Sequence, residues 1–321
     1  MIFVNRDTVP EPPELVALRE EELAKIRAYY NPKNLSRLRK AAAAAKPART
    51  PARARARKGK PRSATAKPAK DPKSYGFKAY LAAKKELERI FHKKCGYCEL
   101  KYKAGLTGEV EHYRPKGRIL TGDRKPIWPG YYWLAATWTN LVPVCSMCNK
   151  LNLVVDLTDG TERTTGKGER FPLVDESLRA KPEEDHASEE PLLLDPCVHK
   201  PADHLAFIER EGHRALLSGQ TDKGRHTVEI LGLNRADLVE RRLERLLAME
   251  ALMTDIQAAH GRLARAANEL DREEAIAEIQ TKRDKLVAYQ GDDQEFAALA
   301  RHTVPPFLAK MKEITQSAAD E

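Results

Sequence analysis

Residues 95–116 read CGYCELKYKAGLTGEVEHYRPK, and residues 145–149 read CSMCN. Each stretch holds a Cys-x-x-Cys pair, Cys95/Cys98 and Cys145/Cys148, with 46 residues between the two. A Cys-x-x-Cys turn aims two sulfurs at one ion, and two such turns complete a tetrahedral site, so the spacing points to a structural zinc held by four thiolates. A redox pair and an iron–sulfur cluster are the other chemistries open to the same residues. Four protein ligands close a zinc site, so this metal would hold the fold and leave catalysis to other groups. The fifth cysteine, Cys197, reads as a small apolar residue of the interior.

Outward from these knuckles, the chain has 321 residues and a formal charge of +9. Residues 41–72 carry ten Lys or Arg, five Pro and a single acid, Asp71. They hold no aromatic and no large aliphatic residue, and cannot offset ordering entropy by burial, so a disordered basic linker is expected over 41–73. The linker is either a solvated tether or an arm that adds sequence-independent affinity for phosphates. The remaining charges sum to zero. No apolar run is long enough for a membrane span, and the N-terminal MIFVNRDTVPEPPE lacks the marks of a signal peptide, so a cytoplasmic protein with no membrane partner is expected. Four regions follow: an extended segment and helix over 1–40, the linker over 41–73, a knuckle-bearing domain over 74–233, and a helical region over 234–321.

Helical periodicity marks 14–30, through Leu15, Leu18, Leu23, Ile26 and Tyr30, with Asn31-Pro32 as its stop. A short basic helix is expected over 33–45. A further helix is expected over 74–94, facing Phe77, Tyr80, Leu81, Leu87, Ile90 and Phe91 inward. Asn234 is placed to cap a long helix from 235 to about 270, with Asp237 in its first turn. Its stripe of Met249, Leu252, Ile256, Ala259, Leu263, Ala266 and Leu270 suits a helical hairpin, or alternatively a dimer or partner interface. A second helix over 272–290 and short helices either side of Thr303-Val304-Pro305-Pro306 complete the region.

Between the knuckles lies Glu111-His112-Tyr113-Arg114-Pro115-Lys116, followed by Asn140 and, directly after the last cysteine, Asn149. A lone histidine is more often structural than catalytic. Here a carboxylate adjoins it, two basic residues follow, and zinc knuckles bracket it. The order Cys-x-x-Cys, Glu-His, Asn, Cys-x-x-Cys-Asn resembles the HNH endonucleases, the zinc-braced members of the ββα-metal (His-Me finger) group.

That resemblance implies an α+β, mostly helical fold with a zinc-braced ββα-metal core set between N-terminal helices and a long C-terminal helical region. It implies a phosphodiester hydrolase with His112 as general base, on the second strand of a hairpin. Glu111 and Asn149 become oxygen ligands of a catalytic Mg²⁺ or Mn²⁺, and Asn140 ties the loop that positions His112. Arg114 and Lys116 are candidates for phosphate contact, or a solvated basic pair. The stretch LNLVVDLTDGTERTTGKGERFPLVDE after Asn149 reads as an insertion that interrupts the last helix of the motif before Lys167 and Phe171-Pro172-Leu173.

More narrowly, CGYCE, EHYRPK, YYWLAATWTNL, CSMCN, FPL, PLLLDPC, HLAF and LGLNR together resemble the branch of the HNH group found in Septu PtuB-type and retron-associated anti-phage systems. The branch implies an effector nuclease acting beside an SMC/ABC-like ATPase, on nucleic acid with DNA favoured and RNA possible. A homodimer is possible. Asp195 and His204 fall in the matching segment as further site candidates, with a loop cap and a surface histidine as their plain readings. The competing classes are a zinc-knuckle nucleic-acid binder that does not cut and an adaptor carried by the C-terminal helices.

Overall fold

The computed structural model describes residues 1–44, 75–102, 108–122 and 126–317; the basic linker lies outside them from residue 45 on. Helix α1 (Pro13–Tyr29) opens on a proline, whose missing N–H has no partner to lose in a first turn. It ends before Asn31-Pro32, and α2 (Pro32–Ala44) restarts on that second proline. Ile26, Tyr30 and Leu38 from these helices bury against Phe77, Trp128, Tyr132 and Ala135, with the Tyr30 and Tyr132 rings stacked at 4.8 Å. The N-terminal helices therefore clamp the aromatic loop that precedes the second knuckle.

The helix expected over 74–94 is shorter than its periodicity. A 3-10 turn (Ala79–Ala83) leads into α3 (Lys84–Ile90), and buried Glu22 of α1 accepts from the Lys78 and Ala79 amides at its start. His92 and Lys93 then take left-handed φ values of 52° and 54°, which turn the chain out of the helix and into the first knuckle. Leu81 is exposed, whereas Phe77, Leu87 and Phe91 are buried.

Strand β1 (Glu109–His112) pairs antiparallel with β4 (Leu141–Val144), with Glu111 opposite Val142 and His112 opposite Leu141. His112 thus closes the first strand of the pair, not the second. The intervening chain holds the small pair β2 (Ile119–Leu120) and β3 (Pro126–Ile127) and two 3-10 turns, Tyr132–Leu134 and Trp138–Asn140. Helix α4 (Ser146–Asn149) follows β4, which gives the order strand, strand, helix, but α4 is a single turn. The chain then forms the hairpin β5 (Asn152–Asp156) and β6 (Thr161–Thr165), so the interruption read after Asn149 is a β-hairpin. A second hairpin, β7 (Leu205–Arg210) and β8 (His213–Gly219), precedes α5 (Asp222–Leu231).

Three long helices end the chain: α6 (Ala236–Ala264), α7 (Glu269–Ala288) and α8 (Ala297–Ser317). Helices α6 and α7 form a hairpin, tied by Arg262–Glu278 and Lys282–Asp255 ion pairs. The expected stripe stops at this turn; Leu270 lies on α7 and is exposed. Asn234 does not cap α6. Its amide is spent on β8, accepting from Leu217 N–H and donating to Leu217 C=O, both at 2.8 Å. Helix α8 runs straight through Pro305-Pro306, against the expected break. Two missing backbone bonds are offset there by burial of Leu299, Ala300, Val304 and Met311. One apolar core joins these helices to the knuckles, running from Leu87, Phe91, Leu141 and Val144 to Leu238, Met249 and Leu299.

Candidate functional site

In the first knuckle the Cys95 amide donates to Leu100 C=O and the Glu99 amide to Cys95 C=O. Gly96 packs so closely that a Cβ there would lie 2.7 Å from Val142 Cγ1, so the turn needs glycine. In the second knuckle Cys145 precedes the single turn of α4 and Cys148 sits inside it. The four cysteines can hold a metal such as zinc: their sulfurs all lie within 4.8 Å of one another, and Cys98 Sγ is 3.7 Å from Cys145 Sγ. Tetrahedral zinc with bonds of about 2.3 Å spaces its sulfurs about 3.8 Å apart. Among the described residues no other group of His, Cys, Asp or Glu is gathered this tightly.

Four thiolates around a divalent ion leave two negative charges in the core, where an unpaired charge is costly. Two buried arginines of the C-terminal region stand beside them. Arg235 Nη1 is 3.9 Å from Cys148 Sγ, and Arg242 donates to Leu233 C=O at 2.7 Å while burial pushes its guanidinium down to about 10. Both stay charged at neutral pH, so the cluster and the start of α6 neutralise each other.

His112 is 1 % exposed. Its Nε2 lies 2.8 Å from Ala135 C=O and its Nδ1 lies 3.0 Å from Lys116 Nζ. A carbonyl only accepts and an ammonium only donates, so the proton sits on Nε2 and the lone pair on Nδ1. Burial, and next the Lys116 charge, hold the imidazole well below its ordinary pKa, so the ring is neutral at pH 7. The Tyr80 ring meets it edge-on at 4.6 Å and also lies under the Lys116 ammonium, 4.7 Å away. The neighbouring Glu111 is buried, and Lys167 Nζ donates to its Oε1 at 2.6 Å and to His112 C=O at 2.7 Å.

Asn140 braces the far side. Its Oδ1 accepts from the Arg114 amide at 2.7 Å, and its Nδ2 donates to Arg114 C=O and Leu134 C=O, both at 3.1 Å. The chain just after His112 and the carbonyl run that receives Nε2 are thereby joined. Asn149 donates to Glu109 Oε2 at 2.6 Å, and Lys150 to the other oxygen at 2.5 Å. Glu109 and Glu111 stand two residues apart on β1 and so on one strand face. Glu111 and Asn149 each carry a side-chain oxygen, the donor type that a hard divalent cation takes.

The other candidates stand apart from this group. Arg114 donates to buried Glu189 at 2.8 Å and lies over the Phe171, Tyr113 and Tyr131 rings. Its Nε is thus committed to Glu189 inside the fold. The same contact gives the acidic 183–190 loop a role, since Glu189 also accepts from Tyr131 and from the Ala180 amide. Asp195 caps its own loop by accepting from the Cys197 amide at 2.8 Å. His204 bonds Thr221 Oγ1 at 2.8 Å, and neither this contact nor the Asp195 cap involves His112. Sequence reasoning missed Lys167, Arg235 and Arg242; the glycines flanking Lys167 were the only local signal, because the partners of all three are distant in the chain.

No protein-family model and no solved structure matches this chain. Septu protein PtuB of Bacillus mycoides (strain KBAB4) is 30% identical to it, over 76% of this chain and 81% of that protein. Septu protein PtuA of the same strain is 28% identical over 162 residues, which are 50% of this chain and 20% of that protein.

Proposed function

The chain belongs to the Septu PtuB family, and on that premise we propose that it is a metal-dependent HNH-type endonuclease in Septu anti-phage defence. The observation that carries the reading is the tautomer of His112. One ring nitrogen is locked to Ala135 C=O, which leaves Nδ1 as a neutral proton acceptor whose neighbour is the Lys116 ammonium. A base that takes a proton from water at neutral pH must be uncharged, held in one orientation and free at one nitrogen. Lys116 occupies that nitrogen now and is the half-buried member of the group, so its ammonium leaves Nδ1 for the phosphate when substrate arrives. Glu111 and Asn149 would hold Mg²⁺ or Mn²⁺, which supplies positive charge beside the phosphate. Asn140 keeps the loop in place throughout.

The substrate is nucleic acid, with DNA favoured. The similarity to the Septu proteins supports a partner subunit related to PtuA, and the HNH branch that the sequence resembles implies that this partner is an SMC/ABC-like ATPase that controls the nuclease.

The test is cleavage of supercoiled plasmid and of total RNA, with Mg²⁺, Mn²⁺ or EDTA, by the protein alone and with a PtuA-type partner. Metal-dependent cutting that His112→Ala abolishes, with zinc content and nucleic-acid binding retained, is the expected result and identifies the polymer. Cutting that survives His112→Ala, or no cutting in any combination, overturns the reading in favour of a binding module.

A further inference from the structure

We infer that Lys167 is a positioning residue whose ammonium fixes the Glu111 carboxylate and the His112 carbonyl, and so sets how strongly Glu111 takes up a divalent cation. The inference rests on the nuclease reading for the presence of that cation.

Lys167 is 0 % exposed. A buried ammonium persists only with close partners, and it has two, Glu111 Oε1 at 2.6 Å and His112 C=O at 2.7 Å. They belong to adjacent residues, the acid and the base of the proposed site. One side chain therefore pins both the carboxylate and the peptide unit that carries the imidazole.

The backbone is shaped to deliver it. Lys167 lies between two glycines in the left-handed region, Gly166 at φ 102° and Gly168 at φ 52°. A Cβ on Gly166 would stand 1.8 Å from Lys150 C=O, so no other residue fits there without displacement. The Gly166 amide donates to Ile230 C=O, the Lys167 amide to Cys148 C=O and the Gly168 amide to Asn149 C=O, at 2.8, 2.7 and 2.6 Å. Two of these acceptors belong to the second knuckle. The metal-binding turn thus holds the lysine on its outside and positions the Glu-His pair through it.

An ammonium and a divalent cation compete for the same carboxylate lone pairs and repel each other. If Lys167 were only a brace, removing its charge would weaken the fold and leave cation affinity unchanged or lower. If it sets the charge at Glu111, removing it makes cation binding tighter while the fold without cation becomes weaker. These responses have opposite signs.

The experiment is Mn²⁺ titration of the zinc-loaded full-length protein by calorimetry and by thermal unfolding. It compares wild type, Lys167→Gln, Glu111→Gln and the double variant. Glutamine keeps a donor for His112 C=O and removes the charge. The expected result is an Mn²⁺ dissociation constant at least tenfold lower in Lys167→Gln, lost again in the double variant. The metal-free melting temperature should fall in Lys167→Gln, with saturating Mn²⁺ raising it by more than in wild type. Equal affinity in wild type and Lys167→Gln, with Glu111→Gln weakening both, overturns the inference and leaves the nuclease reading standing. No Mn²⁺ binding by any variant overturns the inference and the cation assignment together. Lys167→Met is the second variant; if neither it nor Lys167→Gln folds, Lys167 is a folding brace and the inference fails.

Discussion

Asn140→Ala tests how the His112 site is held. The side chain is 4 % exposed and makes three hydrogen bonds, to Arg114 N–H, Arg114 C=O and Leu134 C=O. Each contributes about 1 kcal/mol net, so truncation should cost about 3 kcal/mol, more if the abandoned carbonyls stay dry. The effect should also reach the ring. Leu134 C=O is one peptide away from Ala135 C=O, the acceptor that fixes His112 Nε2. Releasing that turn frees the imidazole to rotate, and a positioning loss of about 1.4 kcal/mol is tenfold in rate. Asn140→Asp separates the bonds. It retains an acceptor for the Arg114 amide but turns a carboxylate oxygen toward two carbonyls, so it should destabilise at least as much as alanine. Urea unfolding at pH 7.5 gives the stabilities, and plasmid cleavage gives kcat. If both variants stay within 0.5 kcal/mol of wild type, or if Asp is tolerated better than Ala, the clamp does not exist as described.

The metal centre should hold one zinc per chain, and Cys145→Ser should lower both zinc content and stability, whereas Arg235→Met should weaken zinc retention against a chelator without removing a ligand. Atomic absorption after graded chelation checks this, and full retention in Arg235→Met would remove its charge-balancing role. Gly166→Ala should cost about 3 kcal/mol or more, combining left-handed strain with the clash at Lys150 C=O, and should reduce cleavage by displacing Lys167; denaturant unfolding with the cleavage assay measures both. Folding stability should fall as pH drops below about 6.5, because the unfolded chain then binds a proton that native His112 refuses, and it should be fully present above that pH. His199, pushed down to about 4 first by burial and then by Lys223, adds to the same slope. His112 alone contributes up to about 1.4 kcal/mol per pH unit, so between pH 7.5 and 5 the wild-type urea midpoint should fall more steeply than that of His112→Gln, and parallel slopes would refute its burial as a neutral ring.

Much of this molecule was legible without coordinates. Knuckles are local: four cysteines at set spacings declare a metal-binding centre wherever the chain goes. The start of α1 at Pro13 and its stop at Asn31-Pro32 are local as well, since proline acts through its own φ and its own missing N–H. The Glu-His pair and its two asparagines stand out as a pattern of residue types, of which the fold ties Asn140 to the His112 loop and Asn149 to Glu109.

What the sequence could not decide was every outcome that depends on a distant partner. Asn234 has the type and position of a helix cap, yet β8 claims its amide because both Leu217 backbone groups need partners in the interior. Pro305-Pro306 reads as a break, yet burial on the shared core carries α8 through it. Arg114 reads as a phosphate contact or a solvated basic residue, and only the fold shows its Nε bonded to Glu189, 75 residues away. Lys167 reads as one of many lysines until tertiary packing sets it 2.6 Å from Glu111. Local preference amounts to tenths of a kcal/mol per residue, whereas an unpaired buried charge or amide costs several times that. The sequence by itself therefore determined which residue types the chain brings to its metal centre and candidate site, and tertiary structure decided which of them meet and which are spent elsewhere.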